Sequence, residues 1–247
     1  MRALVTAWAV IAVARPAWAD PDGARVLTTP TAWLPRAGAA TATLGIDHRG
    51  DATAIASYGL GGLSEVELDA DTDVRGCTDC AARPVPVRLG RAAFRIGVRQ
   101  GAWLTGMPAL VLGVRATFAA YEPVVRDPRV TDAYAVASRD LGVVQLHAGV
   151  DAISAGAAGR RAAARLRPLA GLELHPPMYP RSTLLGDIAW EPELDAQTGP
   201  RLGWLLGVGV RYQAFSWASV ELAVRARQGE DLGASTVMVR VNAIARP

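Results

Sequence analysis

The 247-residue sequence predicts an all-β fold: a single antiparallel transmembrane β-barrel of about twelve strands, preceded by a short extended N-terminal arm. Three observations predict it. Apolar and polar residues alternate with period two along most of the chain, and the helical period of 3.6 hardly appears. The alternating segments are about ten residues long, enough to cross a bilayer at a tilt, whereas strands of soluble sandwiches are nearer to about five or six. The strands are even in number, and longer connections alternate with shorter ones, as in bacterial outer-membrane barrels.

The chain opens with Arg2, an apolar run from Ala3 to Ala14, and small residues at Ala17 and Ala19 flanking Trp18. This is the pattern of a secretory signal peptide over 1–19, cleaved after Ala19. The next segment, 20–38, is interrupted by Pro21, Pro30 and Pro35, which exclude a helix and predict an extended periplasmic arm. The barrel is expected over 39–247.

Its strands are read at 39–48, 52–60, 64–71, 88–99, 108–119, 132–140, 143–152, 165–174, 183–193, 202–212, 217–227 and 235–245. The pattern is plain in "RAAFRIGVR", where Arg91, Arg95 and Arg99 share one face and Phe94, Ile96 and Val98 the other. It recurs with Leu110, Leu112 and Val114 opposite Gly113 and Arg115, and with Val220, Leu222 and Val224 opposite Glu221 and Arg225. With both termini periplasmic, the outward loops fall at 49–51, 72–87, 120–131, 153–164, 194–201 and 228–234. Aromatics near strand ends (Tyr58, Trp103, Phe118, Tyr134, Trp190, Trp204, Tyr212 and Trp217) are expected to form interfacial girdles against outer-membrane lipid. The alternation also fits a soluble sandwich or lipocalin-like barrel. Strand length, the aliphatic faces and the Gly- and Ala-rich polar faces favour the membrane.

The polar faces predict a luminal charged network of Glu65, Glu67, Asp69, Arg91, Arg95, Arg99, Arg115, Glu173, Asp187, Arg211, Glu221, Arg225 and Arg240. The same phase reading puts Arg139 in the lumen. The third strand is acidic and the fourth basic, so opposite charges meet across strands. Two uses are open: ion pairs that prop a narrow barrel, or a path that selects a charged solute.

Catalytic signals are weak. His147 and Asp151 share a strand face, but Ser138 on the preceding strand is read as lipid-facing, which argues against a nucleophile–base pair. No phosphate loop, zinc spacing or G-x-S-x-G motif appears, so neither enzyme activity nor a cofactor is expected. Cys77 and Cys80 are expected to form a local disulfide in an oxidising compartment, with redox or metal roles as alternatives. The net charge of +3 comes from scattered arginines, without a nucleic-acid patch.

The segment "VLTTPTAWLPRAGAATATLGI", with Pro30, Thr31, Ala32, Leu34, Pro35 and Gly38, resembles the opening of the YjbH-like exopolysaccharide-associated outer-membrane barrels. "YGLGGLSEVEL" and "LGVGVRYQAFSWASVELAVRAR" are similar to later hairpins of that family. The resemblance implies a non-enzymatic barrel assisting export, passage or anchoring of an envelope polymer such as exopolysaccharide, with polysaccharide or periplasmic envelope components as partners. It carries no catalytic residues. A narrow porin for polar or charged solutes and a structural or assembly barrel with an occluded lumen are the alternatives.

Overall fold

The computed structural model describes residues 24–78, 85–121 and 125–247. The expected signal peptide and Cys80 lie outside the described residues. Cys77 is buried at the end of a short strand.

The strands in chain order are β1 (Ala40–Asp47), β2 (Ala52–Leu60), β3 (Ser64–Asp71), β4 (Arg75–Cys77), β5 (Val85–Pro86), β6 (Arg88–Val98), β7 (Ala109–Tyr121), β8 (Arg129–Asp140), β9 (Val144–Ala157), β10 (Arg160–Leu174), β11 (Ser182–Asp195), β12 (Arg201–Phe215), β13 (Ala218–Arg227) and β14 (Thr236–Ala245). Twelve of them, all but β4 and β5, pair antiparallel with their chain neighbours. Pairing of β1 with β14, from Ala40↔Ala245 to Asp47↔Met238, closes the barrel. Ala40 and Ala245 define its terminal end; the opposite rim is the far end. β4 runs parallel to the far tip of β11, and β5 pairs with β4.

Twelve strands are thus as expected, with boundaries within three residues of the sequence reading except at one hairpin. The expected loop 153–164 is strand: β9 and β10 continue to a two-residue turn at Ala158 and Gly159, with φ of 52° and 78°. Two left-handed residues make the turn that matches the twist of a tight hairpin. The Ala-rich sequence hid this extension, because Ala155 and Ala157 carry little hydrophobic contrast.

On the outer wall the apolar faces point away from the barrel. Leu68, Leu112, Val208 and Leu222 are each more than half exposed, at 59%, 63%, 55% and 55%. In water such a belt would be a large exposed apolar patch; in a bilayer it is the lipid contact. Tyr58, Phe118, Tyr212 and Trp217 are exposed, as is Trp103 in the β6–β7 turn. Tyr134 is not: it is buried inside.

Tyr134 belongs to a strand whose expected phase is reversed. On β8, Asp132, Tyr134, Val136 and Ser138 point inward and Arg139 points out. One residue of slip exchanges the two faces. The hydrophobic rule failed locally because the interior beside β8 is filled: Tyr134 and Val136 pack with Ala32, Ala109, Val111 and Leu169, leaving small alanines outside.

Toward the far end the interior is also apolar. Val74 folds inward from the β3–β4 connection and packs with Val87, Leu89, Val125, Val130, Ile153 and Leu194. β4 is held by the tip of β11, and Val87 N–H donates to Val74 O at 2.8 Å.

Candidate functional site: a charged lumen occupied by the N-terminal arm

The register brings opposite charges together. β3 and β6 align Glu65 with Arg95 and Asp69 with Arg91. Arg95 pairs with Glu65; Arg91 pairs with Asp71 and, at 3.1 Å, with Asp69. On the opposite wall Glu221 stands between Arg211 and Arg240 in register, with contacts of 3.2 and 3.4 Å. Arg211 also approaches Glu173 at 3.5 Å, and Arg115 binds Asp132 at 2.9 Å. These side chains are almost fully enclosed. Each buried ion needs its partner, because stripping water from a lone charge costs several kcal/mol (roughly) in a protein interior.

Two carboxylates on β3 have no cation in register: Asp71 faces Leu89 and pairs diagonally with Arg91, whereas the cation of Glu67 comes from outside the wall. Glu67 faces Ala93 of β6. Its cation is Arg25, which also lies 3.5 Å from Asp69. Arg25 belongs to the arm, so the structure corrects the expectation of a periplasmic segment. The described arm turns back from β1 into the lumen. Residues 24–31 form a small hairpin there, with Val26 N–H to Thr29 O at 3.0 Å, Thr31 N–H to Ala24 O at 2.9 Å, and a bridge between Arg25 and Pro30.

Luminal side chains satisfy the hairpin's backbone, which must find partners once withdrawn from water. Asp187 accepts the N–H groups of Leu27, Thr28 and Thr29 at 3.3, 2.6 and 2.7 Å. Arg211 donates to the carbonyls of Arg25 and Val26 at 3.1 and 2.8 Å, and Arg240 to that of Leu27. Arg95 donates to Ala24 O and Thr31 O at 3.1 and 3.4 Å. Arg225 reaches the Thr28 hydroxyl at 3.4 Å, and pairs with Asp73 from the far connection. Hydrogen bonds to charged groups each contribute about 1.5–3 kcal/mol.

Shape completes the fit. A Cβ built on Gly171 would lie 2.7 Å from a methyl carbon of Val26, and one on Gly207 would lie 2.8 Å from Leu27 Cδ1. The Gly-rich polar faces therefore hold a peptide. Val26 and Leu27 are completely buried, and each contributes about 1.5–3 kcal/mol by leaving water.

The base of the arm meets a second polar cluster. Ala32 N–H donates to Ser138 Oγ at 2.7 Å, and Ser138 Oγ lies 2.8 Å from His147 Nδ1. His147 Nε2 stands 3.4 Å from Glu173. The expectation that Ser138 faces lipid is thus overturned. Serine, histidine and carboxylate in sequence resemble a nucleophile relay. Here, however, the hydroxyl is fully buried and already accepts the Ala32 amide, so the cluster clasps the arm.

Of the luminal residues read from sequence, Glu65, Glu67, Asp69, Arg91, Arg95, Arg115, Glu173, Asp187, Arg211, Glu221, Arg225 and Arg240 point inward. Arg99 does not join them: it lies one residue beyond β6 and is exposed. Sequence reasoning missed Arg25, Asp73, Asp132 and the Ser138–His147 clasp. The turn sequence "TTP" beside a lone arginine in the arm was the available signal for Arg25.

No family model matches the chain, and no curated protein does. Solved structures do. The chain is similar to the KdgM porin at TM-score 0.52 and 6% identity, over 83% of this chain and 98% of that one. The KdgM porin in complex with disordered oligogalacturonate matches at TM-score 0.51 and 5% identity, over the same shares. The NanC porin matches at TM-score 0.51 and 9% identity, over 84% and 99%. At such identities the likeness is one of fold alone, that of a closed twelve-strand antiparallel barrel.

Proposed function

We propose that this protein is a non-enzymatic outer-membrane conduit for polar, charged saccharides, held closed by its own N-terminal arm. The observation that carries the reading is the chemistry of the arm's contacts. Arg95, Arg211, Arg225, Arg240 and Asp187 hold the arm mainly through backbone carbonyls, backbone amides and a hydroxyl. The same groups suit hydroxyl- and carboxylate-bearing sugars once the arm leaves. The oligogalacturonate complex of the KdgM porin supports this ligand class. Passage or anchoring of an exopolysaccharide, in line with the YjbH-like resemblance, is the specific form of this reading.

Planar-bilayer conductance tests it. The full chain is expected to be nearly silent, and a chain lacking residues 20–34 to give steady current that an oligogalacturonate reduces. A folded arm-less chain that stays silent overturns the conduit. That outcome favours a structural barrel, a reading supported by the apolar seal around Val74 at the far end. Loss of surface polysaccharide on deletion of the protein separates polymer export from general solute passage.

A further inference from the structure

The barrel wall has a split. β10 and β11 share five residue pairs, from Ala170↔Ile188 to Leu174↔Leu184, whereas β11 shares twelve with β12. The cause is legible in the backbone. His175 N–H donates toward β9, to Val143 O, and Pro168 O faces β11, so even-numbered residues of β10 turn their amide groups to the split. Extending the register, the next two rungs would pair Pro168 with Trp190 and Leu166 with Pro192. Proline has no N–H, and inside a sheet it marks an edge. One proline on each strand therefore stops the ladder. Farther on, the edge of β11 is taken by β4, and Arg160 reaches across to Gln197 O.

An open edge is not tolerated against hydrocarbon unless protein or a cavity covers it. Here Trp190 covers it. Its indole N–H donates to Pro168 O at 2.8 Å, and Arg167 lies over its ring at 4.8 Å. Trp190 occupies an outward position on β11, yet it also lines an internal cavity with Leu169, Ala189, Arg25, Arg115 and Glu191. It thus touches both lumen and exterior. Outside the split, Leu166, Val150 and Ile188 form an exposed apolar surround. Inside, Asp151 Oδ1 and Arg167 Nε make no hydrogen bond among the described residues.

We propose that the split between β10 and β11 is a lateral portal joining the lumen to the bilayer, with Trp190 as its gate. Its ligand is an amphipath whose polar head enters the charged cavity, which holds about 20 Å³ with Trp190 in place and widens as the indole leaves, while its apolar chain remains in hydrocarbon. This route is separate from axial passage of saccharides and does not depend on it.

The test uses the full chain in phosphatidylcholine vesicles doped with phosphatidylcholine carrying a photoreactive diazirine on its headgroup. Adduct sites are mapped by mass spectrometry, and folding of each variant is checked by heat-modifiable gel migration. Headgroups otherwise stay at the rims. Adducts on Leu169, Ala189 or Tyr134 therefore report entry through the wall. Trp190→Ala is expected to raise these adducts at least fivefold, and Pro168→Ala with Pro192→Ala, which restores both donors, to suppress them. Should the double variant not fold, Pro168→Ala alone serves. Adducts confined to the strand rims in folded Trp190→Ala overturn the portal, as does equal luminal labelling with and without the prolines. Conductance of the arm-less chain is unaffected by either result, so the two readings fail separately.

Discussion

Arg95 has three acceptors: the Glu65 carboxylate and the carbonyls of Ala24 and Thr31. Arg95→Ala would leave Glu65 buried without its cation and two arm carbonyls without a donor. A loss of about 3–5 kcal/mol is expected, read as a lower temperature for the heat-modifiable band shift. Unchanged heat stability with altered ion selectivity would instead make Arg95 part of a free anion ladder. Ser138→Ala is milder: it removes the acceptor for Ala32 N–H and the bond to His147, costing about 1–2 kcal/mol. It should loosen the arm without unfolding the barrel, seen as faster protease cleavage near Trp33 and an unchanged band shift. The luminal charges were legible because period two places every second residue on one face. Arg99 was misplaced because the pattern alone does not say where the strand stops. Ser138 and Tyr134 were misplaced because their strand alternates alanine with residues of mixed character.

At the level of elements, the strands were legible and the arm's destination was not. Three prolines exclude helix, but an extended segment in the periplasm and one in a lumen have the same local sequence. What distinguishes them lies elsewhere, in glycines on β10 and β12 that leave room for Val26 and Leu27. Gly207→Leu fills the space of Leu27 and crowds the Asp187 carboxylate that holds the hairpin, while keeping β12 in register. It should expel the hairpin and give open-channel current in the full-length chain, with the barrel's band shift retained. Persistent silence in folded protein would mean that the arm is not the seal. The two prolines bordering the β10–β11 split show the converse. They were visible in sequence, but their meaning needed the register that sets them against the same edge.

In the whole molecule, the hairpin fills the charged lumen and the Val74 cluster narrows the far end. The inward charge and outward aliphatic belt were readable from composition by position. The filled interior was not, since a pore and a plugged pore ask the same of an outer wall. The hairpin's partners are also far apart in sequence. Arg25 binds Glu67, 42 residues away, and Leu27 O binds Arg240, 213 residues away. Contacts so distant form late, because long loops must close first. The docking site thus exists when both chain halves are in place and β14 has met β1. During refolding into vesicles, strand formation by circular dichroism should precede the loss of ion leakage, and a chain ending before β14 should leak throughout. A barrel stalled before its final strand is then expected to stay permeable, so that sealing marks the finished molecule.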